Sequence, residues 1–233
     1  MYDYLVVGAG LFGATFASEA AKAGKSVLVA EKRNHIGGNV YTERIEGIDV
    51  HCYGAHIFHT DDKEIWDYVN ALTPFRPYVH RLKANYKGRL YDMPFNMYTF
   101  SEIFGVETPE EAEKILKAER AEVQGEPKNL EEQTIALVGR TVYTRLVKGY
   151  TEKQWGRDCK DLPPSIIRRL PVRFVYDNNY FNDPFQGIPE EGYTALVQAL
   201  LEDCTVCLNT DFLEHREDLL ARCRKVVYTG PLD

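Results

Sequence analysis

The sequence predicts an α/β protein: a nucleotide-binding parallel sheet assembled from both ends of the chain, with a mostly helical insert between them. Local patterning predicts the first half of that statement. Residues 3–8 and 26–31 are short apolar runs that flank a helical pattern at 11–23, which together make a βαβ unit. Glycines 8, 10 and 13 stand at the turn from the first run into the helix, in the order Gly8-Ala9-Gly10-Leu11-Phe12-Gly13. A long-range observation predicts the second half: Lys225-Val226-Val227-Tyr228-Thr229-Gly230 is strand-like again and reads as a return to the first sheet.

Each element has its own justification. Asp3-Tyr4-Leu5-Val6-Val7-Gly8 has the continuous apolar character of a strand covered on both faces. Ala, Phe and Leu recur at helical spacing through 11–23, and Gly24 follows as a C-terminal stop. The second strand, Ser26-Val27-Leu28-Val29-Ala30-Glu31, ends on an acid. Strand, glycines, helix and acid together form a Rossmann-like dinucleotide fingerprint. Gly8 permits the tight turn, Gly10 lets a pyrophosphate approach the backbone, and Gly13 lets helix and strand pack closely. The helix amino terminus offers unpaired N–H groups and a positive dipole end to phosphate. Glu31 can accept from both ribose hydroxyls, and its charge disfavours the 2′-phosphate of NADP.

Farther along, Ile65, Trp66, Val69 and Leu72 mark one face of a helix after Asp61-Asp62. Residues 78–93 alternate around Lys87-Gly88 and read as a hairpin. Thr108-Pro109-Glu110-Glu111 is a capping box with proline at the first helical position, and Asn129-Leu130-Glu131-Glu132 follows the same logic. Residues 121–129 form an exposed connection, and residues 193–202 form another apolar-faced helix. The expected division is 1–64 with 203–233 for the nucleotide-binding layer and 65–202 for the insert.

Composition bounds the function. A net charge of −7 over 233 residues argues against a nucleic-acid partner, which needs a basic face. No segment has the apolar length of a membrane span. The first residues run directly into a strand without a signal-peptide pattern, and the cytoplasm is the expected location. Five cysteines, an odd number without framework spacing, fit a reducing compartment. Cys204 and Cys207 make a lone CxxC inside an apolar strand, so they are read as buried structural thiols. His51, His56 and His59 cluster, but His-x4-His-x2-His matches no zinc pattern and no metal is assigned. The sequence leaves a homo-oligomer open.

FAD and NAD share the fingerprint, and the following residues separate them. Glu31-Lys32-Arg33-Asn34-His35-Ile36-Gly37-Gly38-Asn39 resembles the second flavin motif of the glutathione-reductase-like FAD superfamily, in which that loop lies along the cofactor. The resemblance implies FAD held by Gly8, Gly10, Gly13, Glu31, Lys32, Arg33, Gly37, Gly38 and Asn39, with Arg33 suited to bidentate pairing with phosphate.

More specific stretches follow in order. They are Val50-His51-Cys52-Tyr53-Gly54-Ala55-His56-Ile57-Phe58-His59-Thr60, Lys148-Gly149-Tyr150-Thr151-Glu152-Lys153-Gln154-Trp155-Gly156, and Leu170-Pro171-Val172-Arg173-Phe174 with Asp177-Asn178-Asn179-Tyr180-Phe181. Ile188-Pro189-Glu190-Glu191-Gly192-Tyr193-Thr194 completes the set. In order and spacing they resemble the bacterial UDP-galactopyranose mutases, from Met1 to Asp233. The resemblance implies interconversion of UDP-galactopyranose and UDP-galactofuranose with reduced FAD, through an adduct at the flavin N5. It places His56 and His59 beside the flavin, Tyr150 and Trp155 at the uridine and active site, and Arg169 and Tyr180 on the diphosphate. Arg168 is the alternative to Arg169 if the register shifts by one. Leu146 stands where well-studied members carry a second base-contacting aromatic, a phenylalanine; leucine can cover a base but cannot stack on it.

The family continues past the Tyr-Thr-Gly-Pro-Leu-Asp motif at 228–233 with a second diphosphate arginine and further core strands. A chain without that segment is expected to bind FAD weakly or not at all and to be inactive by itself. Two other readings stay open: an FAD-dependent oxidoreductase of the same fold, which would need no uridine or diphosphate residues, and a non-catalytic nucleotide-binding fragment.

Overall fold

The computed structural model describes residues 1–168 and 170–231. The chain begins with β1 (Tyr2–Val7), α1 (Leu11–Lys22) and β2 (Val27–Ala30). Next come the hairpin β3 (Thr42–Ile45) and β4 (Ile48–His51), then β5 (Phe58–Thr60), α2 (Lys63–Leu72) and β6 (Phe75–Pro77). A second hairpin, β7 (Leu82–Tyr86) and β8 (Arg89–Met93), leads into α3 (Met97–Phe104), α4 (Pro109–Arg120), α5 (Leu130–Val142) and α6 (Lys148–Trp155). The chain closes with β9 (Phe185–Pro189), α7 (Gly192–Leu200), β10 (Thr205–Cys207), α8 (Arg216–Ala221) and β11 (Cys223–Tyr228).

It divides into two compact units, Met1–Tyr78 with Asp183–Asp233, and Val79–Asn182. The first unit is built on a parallel sheet in the order β10-β2-β1-β11. The return of the chain's end to the first sheet is therefore observed, with Leu5 paired to Val226 and Val6 to Val227. Alternation along the strands feeds two cores. Val6, Val27 and Val29 pack with Ala14 and Ala17 of α1 and Leu196 and Val197 of α7. Leu5, Val7, Leu28 and Ala30 pack on the opposite face with Leu219 of α8. A strand covered on both faces has no solvent side, which is why these segments read as unbroken apolar runs.

The expected division placed residues 65–78 and 183–202 in the insert; the structure places them in the first unit. The reason is packing. Val69 of α2 and Phe75 of β6 share one core with Tyr193, Leu196 and Val197. A small antiparallel sheet, β5-β9-β6, joins residues 58–77 to 185–189. Its short strands carry no alternation by which sequence could announce them.

The second unit has its own core, centred on Phe95, Met97, Phe100, Leu116, Leu130, Ile135, Val138 and Val142. Its hairpin turns at Lys87-Gly88, both at positive φ (51° and 81°), as a two-residue reversal requires. The Thr108 capping box forms with both reciprocal bonds, and the Asn129 side chain accepts from the Glu132 N–H at 2.9 Å. Helix α5 is broken at Gly139 (φ 81°, ψ 164°), and the Glu119 carboxylate of α4 fills the break. It accepts from the Thr141 N–H at 2.9 Å and from the Thr141 hydroxyl, capping the restarted helix. A β-carbon at 139 would lie 2.9 Å from Glu119 Cβ, at a positive φ that side chains rarely adopt, so the break favours glycine. A π-helical turn at Tyr143–Val147 then leads into α6.

The same region holds a buried polar network. The Tyr143 hydroxyl donates to Glu131 Oε2 at 2.7 Å, and Arg140 lies 3.3 Å from Glu131 Oε1. Burial, followed by the bond to Glu131, pushes the Tyr143 phenol far above its ordinary range, so it remains a donor. Tyr143→Phe should destabilise the chain by about 1–3 kcal/mol, because one Glu131 oxygen loses its donor inside the core. Urea unfolding followed by circular dichroism checks this, and an unchanged midpoint would show that the network carries no stability.

Candidate functional site

The first unit contains a cleft of about 660 Å³ at the carboxyl ends of its parallel strands. Gly8, Gly10, Glu31, Lys32, Arg33, Gly38 and Asn39 line it, which brings together most of the expected cofactor residues. Gly13 and Gly37 lie behind them. A β-carbon on Gly13 would stand 2.1 Å from the Gly8 carbonyl oxygen, so only glycine lets α1 sit this close to β1. Gly37 (φ 98°) donates its N–H to the Ala9 carbonyl at 2.9 Å, tying the second loop to the first.

The polar groups of the cleft are preset. Gly10 is the N-cap of α1 and no side chain caps that end, so the helix presents bare N–H groups. Across from it, a β-carbon on Gly38 would meet Gly10 Cα at 2.9 Å, so the two loops approach backbone to backbone. Glu31 is buried, and its carboxylate accepts from the Ala9 N–H at 2.8 Å and the Arg33 N–H at 2.9 Å. Each oxygen keeps further lone-pair capacity for a ribose hydroxyl. Arg33 stacks its guanidinium over Tyr53 at 4.5 Å and donates Nη2 to Asn39 Oδ1 at 3.3 Å. Its Nη1 is buried with no partner among the described residues, a donor that a phosphate would satisfy. Bare helix N–H groups, glycine backbone, a preset carboxylate and an orphan guanidinium nitrogen together fit an adenine dinucleotide.

The sequence reading missed one wall of this cleft, formed by Thr210, Asp211, Phe212 and Leu213. The Thr210 N–H donates to the Glu31 carbonyl at 2.9 Å and the Asn209 N–H to the Arg33 carbonyl at 3.0 Å. The available signal was positional: this polar connection follows β10, and open α/β sheets bind ligands beyond the carboxyl ends of their strands.

His56 and His59, expected beside a flavin, are not among the residues that line the cleft. His56 Nδ1 lies 2.8 Å from the Gly54 carbonyl oxygen, and its ring meets Tyr193 edge-on at 6.4 Å. His59, on β5, pairs through Nδ1 with the carboxylate of Asp183, a partner that the sequence did not signal.

In the second unit, Tyr150 and Trp155 both lie on α6 and are 69% and 53% exposed, so neither ring is committed to a core. Leu146 differs from its expected role. It is buried in the core of the second unit, within the π-helical turn, and is not free to cover a base. Tyr180 is half-buried; its N–H donates to the His80 carbonyl at 2.8 Å and the two rings meet edge-on at 5.4 Å. Arg168 is exposed, and Arg169 lies outside the described residues.

A family model for NAD(P)-binding Rossmann-like domains matches residues 6–72, and one for UDP-galactopyranose mutase matches residues 145–233. A probable UDP-galactopyranose mutase of Klebsiella pneumoniae is 42% identical over 99% of this chain and 61% of its own length. A dTDP-fucopyranose mutase of Escherichia coli is 45% identical over 86% of this chain and 54% of its own length. The chain thus spans little more than half the length of these curated relatives. Among solved structures, a reduced UDP-galactopyranose mutase shares the fold, with a TM-score of 0.62 at 17% identity over 90% of this chain and 49% of that one. No helix among the described residues is long and apolar enough to cross a membrane.

The loop that carries His56 holds a titratable acceptor. The His56 backbone N–H donates to His51 Nδ1 at 3.1 Å, so that nitrogen must be unprotonated. Burial, then the neighbouring His56, pushes the His51 imidazolium down from its ordinary value of 6.5. A histidine depressed in the folded state contributes stability that is fully present above its unfolded value and is lost as pH falls from that value through the lower folded one. His51→Asn, which keeps an acceptor without titrating, should flatten the fall in unfolding midpoint as pH drops through 6.5. Identical pH profiles for the two proteins would show that the His51 acceptor has no part in holding the loop.

Proposed function

We propose, from the premise that the chain is a relative of the bacterial UDP-galactopyranose mutases, that it carries the cofactor-binding and sugar-nucleotide-binding residues of a flavin-dependent pyranose–furanose mutase. The observation that carries the reading is the preset cleft of the first unit, in a chain whose family resemblance extends through the second. FAD is the proposed cofactor, in a layer of the glutathione-reductase-like superfamily, with the helical unit as substrate-binding insert. Its diphosphate would lie at the bare end of α1, its ribose on Glu31, and a phosphate oxygen on Arg33. Lys32, Gly38 and Asn39 would complete that contact, over the turn supported by Gly13 and Gly37.

Reduced FAD, when bound, supplies the nucleophilic nitrogen for the sugar's anomeric carbon. What remains falls to side chains. His56 and His59 would lie on the flavin side, where a neutral imidazole can donate or accept a proton. Tyr150 would cover the pyrimidine, with Trp155 beside the sugar nucleotide; Arg169 and Tyr180 would hold the diphosphate. The proposed substrates are UDP-galactopyranose and UDP-galactofuranose, and the proposed location is the cytoplasm, which keeps the five free cysteines reduced.

A second reading has specific support: the Escherichia coli relative acts, by its name, on dTDP-fucopyranose and is 45% identical. Position 146 is a leucine buried in the core, so the base would lack the second aromatic contact that well-studied mutases have. Parallel assays of UDP-galactofuranose and dTDP-fucofuranose, with FAD and with or without dithionite, test both readings. The mutase reading expects any conversion to need the reductant and to yield the pyranose with no net oxidation. Conversion of the UDP sugar in preference to the dTDP sugar supports the first substrate. Turnover indifferent to the reductant, or net oxidation of substrate, would contradict the mutase chemistry.

A further inference from the structure

We propose that Arg173 is a positioning residue, which clasps the 177–182 loop from within the second unit and so sets the place of Tyr180; its role toward ligand rests on the reading of Tyr180 given above. The loop is anchored before it begins. Val172 bridges to Phe95, the Arg173 N–H donates to the Phe95 carbonyl at 2.9 Å, and the Met97 N–H donates to the Val175 carbonyl at 3.1 Å. From that anchored segment the Arg173 side chain, 11% exposed, reaches forward. Nη1 donates to the Asn179 carbonyl at 2.5 Å and lies 3.7 Å from Asp177 Oδ2, while Nη2 donates to Asn182 Oδ1 at 2.5 Å.

The planar fork therefore joins three points of the loop, on both sides of Tyr180 in sequence. Two further ties hold the same segment. The Asn178 side chain donates to Asp92 Oδ1 at 3.1 Å, and the Tyr180 N–H donates to the His80 carbonyl at 2.8 Å. With both terminal nitrogens spent in this way, Arg173 is not read as a phosphate ligand, although it stands in an arginine-rich stretch. Lysine could supply the charge but not the fork, so Arg173→Lys is the informative change.

The test combines amide exchange with UDP titration of the whole chain. In Arg173→Lys, exchange at residues 177–182 should rise while the helices of the second unit keep their protection. UDP should bind about tenfold more weakly, as expected for lost charge-assisted bonds. In a Tyr180→Phe background the same change should add less than about twofold, since two residues acting through one contact are not additive. If Arg173→Lys unfolds the unit, Asn182→Ala removes a single acceptor and should give the same pattern more weakly. Unchanged exchange in the loop would overturn the clasp. Full additivity with Tyr180→Phe would overturn its action through Tyr180. If the wild-type chain does not bind UDP but the loop loosens as stated, the clasp stands and the nucleotide reading of Tyr180 fails.

Discussion

One buried carboxylate organises the first unit. Glu31 ends β2 and accepts from the N–H of Ala9, in the glycine turn, and from the N–H of Arg33, in the following loop. Without it, those two backbone donors would lose their acceptor, and the loops facing the cleft would lose their common anchor. The glycines make this geometry possible: Gly13 lets the helix reach the strand, and Gly38 lets its loop reach Gly10. The cleft therefore exists before a ligand enters, and its polar groups need little reorganisation to meet a diphosphate.

The second unit solves a different problem. It carries Tyr150 and Trp155 exposed on a helix that continues from a core helix. The break at Gly139 and the π-helical turn at Tyr143–Val147 alter the phase of the helical run. Leu146 and Val147 remain in the core while Tyr150, a few residues on, is exposed. Glu119 caps the break, and Glu131 with Tyr143 fixes the turn beyond it. The exposed α6 aromatics thus follow a helix break and a π-helical turn that polar contacts of the same unit hold.

The βαβ unit was legible because its signals are local: apolar runs, glycines at fixed offsets and an acid at the strand end. The capping residues Thr108 and Asn129 were legible for the same reason. What escaped depends on distant partners. The small sheet β5-β9-β6 joins residues more than a hundred positions apart through strands of three to five residues. The division of the chain was therefore misplaced at both boundaries. Gly139 reads as an ordinary interior glycine until Glu119, twenty residues earlier, is seen to occupy its open side. Leu146 was placed by register with a family position, and burial gave it a packing role instead. Arg173 stood among the arginines of a charged stretch, and only its bonds to Asn179 and Asn182 distinguish it.

The claim at the centre is that the turn from β1 into α1 receives the diphosphate of a dinucleotide. Amide hydrogen exchange of the chain with and without FAD measures this at the residues concerned. FAD should slow exchange at Gly10, Leu11 and Phe12 and around Arg33. FAD binding that leaves those amides unchanged, with protection confined to other segments, would contradict it.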